Sequence, residues 1–327
     1  MTGAGQISGV IPTVGRAGML RLCLASVIRQ TVPIAEVLVV HCGSDPDTQA
    51  VCLEPRWRDA GVDVRYFAFA ERNAAAQRNF AIDHAKYDNL LLLDDDVELE
   101  AEWAASLFEP IWSDAAVGAT MGRLVNQPIP PPTAWWRAYR RLVAGRQVAF
   151  EPGRLLGAAM PNGFPTSADR PMPSEWLGGG VSALRRAAFR SVGGFAPYFS
   201  GSSPGEDLDL GYRLSRRWRV LYVPAARCVH HEDPKGRSRS HEYQFQSMRA
   251  RYAIVIRAFG ASRVRALAHV MLWMAFQGVS EMAALRKGWN AAFLPAWWGR
   301  FRGVVSCLRW MPPANRTEPA LFPRAAS

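Results

Sequence analysis

Three consecutive carboxylates, Asp94, Asp95 and Asp96, directly follow the apolar run Leu90-Leu91-Leu92-Leu93. Such a run reads as a buried strand. The acids then stand where a strand of an open sheet emerges into its ligand crevice. Adjacent carboxylates repel, and leaving them unpaired at the lip of a core is costly. A hard divalent cation with oxygen ligands resolves that conflict. The spacing of Asp94 and Asp96 therefore points to a metal, and to one that holds a diphosphate. The competing reading is an acidic helix N-terminus ahead of the helical stretch 101–112. Capping accounts for one or two acids, but not for three placed directly after a leucine run.

A second acidic group sits in the segment from Ser200 to Trp218, a Gly/Ser loop leading into a helix. Glu206 and Asp207 fall in its first turn, where backbone N–H groups and the helix dipole favour carboxylates. Capping alone is an adequate account of Glu206. Asp207 and Asp209 point in different directions, so at most one of them joins Glu206 at a site. A carboxylate beside such a loop is well placed to take a proton from an incoming hydroxyl. Arg213 shares a helical side with Glu206 and Asp209 and can pair with either. His230 ends a segment after the strand expected at 220–223. A lone histidine is more often structural, yet this one could complete a metal shell begun by Asp96.

Elements must position these groups. The pattern predicts strands at 6–11, 36–40, 62–67, 89–93 and 117–123, alternating with helices at 19–30, 70–85 and 101–112. That alternation points to a parallel sheet with helices on both faces. Binding residues then belong at strand C-termini: Thr13, residues 41–45, and Asp94 to Asp96. Residues 124–174 break the rhythm. They carry a stiff Pro-rich stretch at 127–132, then Trp135-Trp136 and a basic helix candidate at 137–146. This reads as an excursion over the face of the sheet. The pattern resumes at 175–184, with a short helix at 185–192 and a turn at Gly193-Gly194-Phe195.

At 327 residues the chain can form one large or two small domains. Its N-terminus lacks the basic and apolar regions of a signal peptide. The five cysteines show no Cys-x-x-Cys spacing. They read as reduced thiols in a cytoplasmic protein rather than a zinc site or disulfide frame. The net charge of +11 is localised, since residues 235–310 hold thirteen Lys/Arg against Glu242 and Glu281.

Taken in order, these pieces resemble glycosyltransferase family 2, inverting enzymes of the GT-A fold. The resemblance covers about residues 5–235. It runs through Val10-Ile11-Pro12-Thr13 with Arg16, the strand from Glu36 to Val40 with Gly43-Ser44-Asp45, Arg78-Asn79, and Asp94-Asp95-Asp96. It continues through Gly178-Gly179-Gly180, Arg185-Arg186, Gly193-Gly194-Phe195, Glu206-Asp207, Arg213-Leu214, and Pro224 to His230. The fold class it implies is α/β, a Rossmann-like mixed sheet, with a helical C-terminal extension. The implied layout is a catalytic domain over 1–235, divided at 123 and 174, an extension over 236–311, and a tail from 312.

The resemblance also implies roles. Pro12, Thr13, Arg16, His41, Gly43, Ser44, Arg78, Asp94 and Asp95 would surround the nucleotide. Asp96 and His230 would hold Mn²⁺ or Mg²⁺. Asp207, with Glu206 beside it, would be the general base. Gly178, Gly179, Gly180 and Arg213 would line the donor and acceptor pocket. The donor would be a UDP, dTDP or GDP sugar. The acceptor would be a growing glycan or a polyprenyl-linked one, as in polysaccharide or cell-envelope synthesis; a soluble small molecule or protein is the alternative acceptor, and a non-catalytic nucleotide-sugar-binding subunit the alternative role. One departure stands out: the family usually places an Asp where this chain has His41. A neutral imidazole accepts at one nitrogen, so base binding would survive with uridine less secure.

The basic C-terminal third adds a partner. Its longest uncharged stretch, 266–280, is shorter than the roughly 20 apolar residues a spanning helix needs. Trp273, Trp289, Trp297, Trp298 and Trp310 are interleaved with basic residues. That combination suits the headgroup region of an anionic membrane, so a peripheral location on the inner face of the cell membrane is expected. A helical subdomain packed on the catalytic core is compatible with this. No stretch resembles a nucleic-acid module, so nucleic acid is not an expected partner.

Overall fold

A computed structural model describes residues 5–128, 132–233, 240–285 and 293–314. The first half alternates as its sequence pattern dictates. It comprises β1 (Ile7–Thr13), α1 (Ala17–Val27), β2 (Glu36–Cys42), α2 (Pro46–Cys52), α3 (Pro55–Asp59), β3 (Asp63–Phe69), α4 (Ala74–His84), β4 (Asn89–Leu93), β5 (Val97–Leu99), α5 (Trp103–Ser113) and β6 (Val117–Leu124). After it come α6 (Ala134–Val148), three two-residue strands, β7 (Leu155–Leu156), β8 (Met160–Pro161) and β9 (Met172–Pro173), then β10 (Val181–Arg185), α7 (Arg186–Ser191), α8 (Glu206–Ser215) and β11 (Arg219–His230). Among the described residues three helices follow: α9 (Ser240–Arg257), α10 (Arg263–Leu285) and α11 (Phe293–Cys307).

The main sheet has the order β3-β2-β1-β4-β10-β6-β11-β5, with β9 beside β11. β1 to β4 are mutually parallel where they pair. The sheet is nevertheless mixed, because β10 runs antiparallel between β4 and β6, and β5 runs antiparallel to β11. This is the mixed sheet that the resemblance implied, and it departs from the parallel sheet read from the alternation for a local reason. The segment leading into β10 enters from the same end at which β4 exits, so Val181 lies opposite Leu93.

Side chains of successive strand residues point to opposite faces, and β4 shows what that does to a leucine run. Leu91 and Leu93 join Leu20, Leu24, Trp103 and Phe108 in the core under α1 and α5. Leu90 and Leu92 join Ile82, Phe189, Leu210 and Leu214 under α4, α7 and α8. A strand buried on both faces needs no polar alternation, and its polarity is deferred to its C-terminal end.

The excursion after β6 divides: Leu155, Ala159 and Phe164 pack against the sheet as expected, whereas α6 does not. Trp136, Tyr139 and Val143 of α6 join Met248, Tyr252, Val270 and Trp273 in a third core with α9 and α10. The Trp135 ring stacks on Phe276 at 4.2 Å. α6 therefore belongs to the helical layer rather than lying over the sheet. α9 joins the layers, since Ala250 and Ile254 reach the catalytic core while Met248, Tyr252 and Val255 reach the helical one. The Pro-rich stretch falls partly outside the described residues, as do Lys235, Arg286, Lys287, Trp289 and most of the expected tail.

Candidate active site

β4 delivers the acidic triplet, but the chain does not enter a helix there. β5 intervenes, and α5 starts only at Trp103. The capping account of Asp94 to Asp96 therefore has no helix to cap. Instead the three side chains diverge. Asp95 is fully buried, accepts a hydrogen bond from the Thr13 hydroxyl and lies 2.7 Å from Arg16 Nη2. Burial pushes its carboxyl up to about 7, outweighing Arg16 and Thr13. Asp94 points the other way and takes Arg78 Nη2 at 2.5 Å. Asp96 accepts from Arg16 Nη1 at 2.7 Å and stands 3.0 Å from His230 Nε2.

His230 arrives by sheet pairing. β11 continues well past the expected 220–223 and sets His230 opposite Val97, the residue after Asp96. Asp94, Asp96 and His230 each offer a ligand atom within 4.8 Å of the others. Two carboxylates and an imidazole suit Mn²⁺, and the oxygens alone suit Mg²⁺. Charge agrees, because Arg16 and Arg78 are paired into a group with Asp94, Asp95, Asp96 and Glu206 that keeps carboxylate in excess.

Asp207 enters from the other side. Gly205, at φ +86°, turns the chain into α8 and places Glu206 and Asp207 in its first turn. Asp207 accepts from Gly179 N at 3.0 Å and from Leu208 N at 2.9 Å. Burial raises its carboxyl above the ordinary range, against those two amides and Arg78. Glu206 is buried and ion-paired with Arg78, and its other oxygen has no partner among the described residues. Arg78 thus links the two acidic segments.

Two cavities meet at this cluster and share Asp94, Gly179, Asp207 and His230. One, of about 620 Å³, is lined by Pro12, Thr13, Arg16, Cys42, Arg78 and the 201–205 loop. The other, of about 580 Å³, has aromatic walls at Phe164, Trp176 and Tyr222. The Phe164 and Tyr222 rings stack at 4.1 Å. Gly178, Gly179 and Gly180 form the partition. A Cβ on Gly180 would lie 2.2 Å from Asp94 Cγ, so that carboxylate needs a glycine beside it.

Other expected residues are placed elsewhere. Asp95 lines neither cavity, nor do the exposed Gly43 and Ser44. Arg213 does not reach the pocket. It pairs with Asp209 and donates to the carbonyls of Val192 and Gly194, bracing the turn after α7. His41 is buried, and Gly15 N–H donates to its Nε2 at 3.0 Å. Nε2 therefore carries the lone pair and Nδ1 the proton, facing Gly43 O at 3.3 Å. The accepting nitrogen expected to serve a base is already used to hold the 14–16 loop. Sequence reasoning missed the Phe164, Trp176 and Tyr222 wall, whose parts are distant in the chain. It also missed Ser240, Tyr243 and Gln244, which bring α9 to the first cavity.

The sequence pattern of Glycosyl transferase family 2 matches residues 8–192. The chain belongs to that family. The chain is 41% identical over 87 residues to N-acetylglucosaminyl-diphospho-decaprenol L-rhamnosyltransferase of Mycobacterium tuberculosis. That match covers 24% of this chain and 27% of the relative, so the chain spans about a quarter of the relative's length. Its fold is similar to that of GalNAc-T7, solved with UDP, GalNAc and Mn²⁺ (TM-score 0.59, 19% identity, 79% of this chain and 49% of that one). It is also similar to the mannosyltransferase PcManGT of Pyrobaculum calidifontis, solved with GDP-Man and Mn²⁺ (0.56, 16%, 94% and 88%). S. aureus TarS 1–349 with UDP-GlcNAc gives 0.55 at 13% identity over 92% and 81%. The fold is thus the GT-A glycosyltransferase fold.

Proposed function

We propose that this glycosyltransferase is an inverting, metal-assisted enzyme that moves a sugar from a nucleoside-diphosphate sugar to a hydroxyl of a lipid-linked or growing glycan. One observation carries the reading: Asp94, Asp96 and His230 face Asp207 where the two cavities join. The cavity under Pro12, Thr13 and Arg78 takes the nucleotide. The aromatic cavity takes the acceptor, whose apolar ring faces pack on the Phe164 and Tyr222 surfaces.

Asp94, Asp96 and His230 would hold Mn²⁺ or Mg²⁺. When bound, the ion supplies positive charge against the charge developing on the departing diphosphate. Arg78 and Arg16 hold the carboxylates apart and aligned. Gly179 N–H and Leu208 N–H fix the Asp207 carboxylate, which takes the proton of the acceptor hydroxyl. The acceptor oxygen bonds to the anomeric carbon as the bond from that carbon to the diphosphate oxygen breaks. Attack and departure lie on opposite faces, so the configuration inverts. The raised affinity of Asp207 for a proton makes it a stronger base than a solvated aspartate.

The lipid-linked acceptor rests on the rhamnosyltransferase likeness and on the basic, Trp-rich C-terminal third. Among the described residues no helix is long and apolar enough to cross a membrane, and contact at the inner membrane surface is part of this proposal.

The test is thermal stabilisation by UDP, dTDP and GDP, each with and without Mn²⁺, with Asp96→Ala as control. Metal-dependent stabilisation by one nucleotide, absent in the variant, is the expected result. Equal stabilisation of both proteins would remove Asp96 from the metal site.

A further inference from the structure

We propose that the outward faces of α10 and α11 form one docking surface for an anionic membrane. The two helices lie side by side and antiparallel. Arg263 at the start of α10 donates to Leu308 O beyond the end of α11 at 3.0 Å. Further along, Trp297 fits against Gly278, and Arg300 pairs with Glu281. Both pack on α9, whose opposite flank meets the catalytic core. Their free faces are thus turned away from the sheet.

Those faces are apolar. On α11 the exposed positions Leu294, Trp298, Phe301 and Val305 recur at steps of four and three, and Leu308, just past its end, continues the series. Trp298 is 57% exposed and Leu294 60%. On α10 the exposed stripe is Val264, Ala268, Met271, Ala275, Val279 and Met282, again at steps of three and four. Each stripe is one face of a helix. Contiguous exposed apolar surface of this extent marks a contact with something outside the chain. Among the described residues 5–128, Leu22 and Leu53 are the exposed large apolar side chains.

Charge selects the occupant. Among the described residues, the exposed ionised side chains bordering the stripes are Arg263, Arg265, Arg302 and Arg309. The single acid within α10 and α11, Glu281, is taken by buried Arg300. A second copy of the chain would bring cation against cation. An anionic headgroup layer supplies the opposite charge above an apolar interior, and an amphipathic helix lying in the interface plane uses both.

The surface also adjoins the site. Leu294, Pro295, Trp298 and Arg302 share a cleft with His241, and its neighbours Ser240, Tyr243 and Gln244 line the first cavity. Arg300 joins the helices to that cavity, bonding Gln244 at 3.0 Å as well as Glu281. A bilayer under α10 and α11 therefore lies close to the cavity mouth. That consequence rests on the lipid-linked acceptor proposed above, whereas the surface itself is read independently of it.

The experiment is flotation of the full chain with vesicles of equal parts phosphatidylcholine and phosphatidylglycerol. Binding is expected, weaker by about tenfold on phosphatidylcholine alone. The double variant Trp298→Ser/Phe301→Ser should lose about tenfold in binding with an unchanged melting temperature. Met271→Gln/Val279→Gln, on the other helix, should do the same if the first pair misfolds. Failure of the wild type to float, or equal flotation of well-folded variants, overturns the proposal. So does a dimer in sedimentation velocity that disappears in Trp298→Ser/Phe301→Ser, which would assign the face to a second copy. Nucleotide stabilisation measured on the same samples separates the two readings. Flotation without any nucleotide response would sink the transferase mechanism and leave the docking surface intact.

Discussion

The catalytic sheet and the C-terminal helices break the usual rule of inside and outside in opposite directions. In the sheet, Asp95, Asp96, Arg78 and Glu206 are buried charges, tied to one another at the end of β4. In the helices, Trp298, Phe301 and Val264 are exposed apolar groups. Buried charge is costly unless paired, and exposed apolar patches are rare unless covered. Each departure therefore marks a place where the chain is complemented from outside. We propose a cation and a diphosphate as the complement of the sheet, and a lipid surface as that of the helices. In the sheet region Arg16 and Arg78 are paired with buried acids, whereas Arg265, Arg302 and Arg309 of the helices are exposed.

This contrast can be broken at several points. The largest effect is expected at Asp207. Asp207→Asn keeps the shape and one of the two amide contacts but removes the base, and transfer should fall by about a thousandfold with metal-dependent nucleotide binding retained. An unchanged rate would place the base elsewhere. Gly180→Ala comes next, because its methyl group would collide with Asp94. We expect about a hundredfold loss of transfer, together with a weaker response to Mn²⁺ in a metal titration.

Arg78→Ala tests burial itself. It leaves Glu206 buried without its cation, which should cost about 3 kcal/mol in a denaturant melt. A fully stable variant would mean that the ion pair does not hold α4 against α8. A pH profile probes the same region more gently. The folded-state affinity of Asp207 for its proton is raised, so its base form is lost at a higher pH than for an ordinary aspartate. The acidic limb of kcat/KM should accordingly lie above the usual carboxylate range. The sign for stability is opposite to that of a salt-bridged acid: the folded state binds more protons, so this group's contribution falls as pH rises through its raised pKa. The smallest effect belongs to His41. His41→Ala frees the Gly15 amide and should cost about 1 kcal/mol while leaving the order of preference among UDP, dTDP and GDP unchanged. A changed order would return His41 to the base site.

Much of the sheet was legible because its signals are local. The leucine run of β4, the acids behind it and the alternation of elements need no knowledge of distant contacts. The juxtaposition of Asp96 with His230 needed more, since it depends on β11 continuing to Val97, beyond the short strand the sequence pattern indicated. The resemblance implied a mixed sheet, but the alternation did not mark β10 as the reversed strand, as five residues carry no mark of direction. Arg213 shows the limit of helical spacing. Its side relative to Asp209 was readable, but the carbonyls of Val192 and Gly194 that hold it belong to another element. His41 shows the same for chemistry. Its residue type left one acceptor nitrogen open, and the fold fills that nitrogen with the Gly15 amide. In the C-terminal third, Trp and Arg composition was visible, but which tryptophans face outward depends on α9 lying between two cores.

The most direct test follows the sugar itself. The donor that stabilises the protein in the presence of Mn²⁺ is hydrolysed or transferred by the enzyme, and the anomeric configuration of the first-formed product is read by NMR. A product of inverted configuration, formed by wild type and not by Asp207→Asn, is the expected result. A product that retains the donor's configuration would contradict single displacement with Asp207 as base.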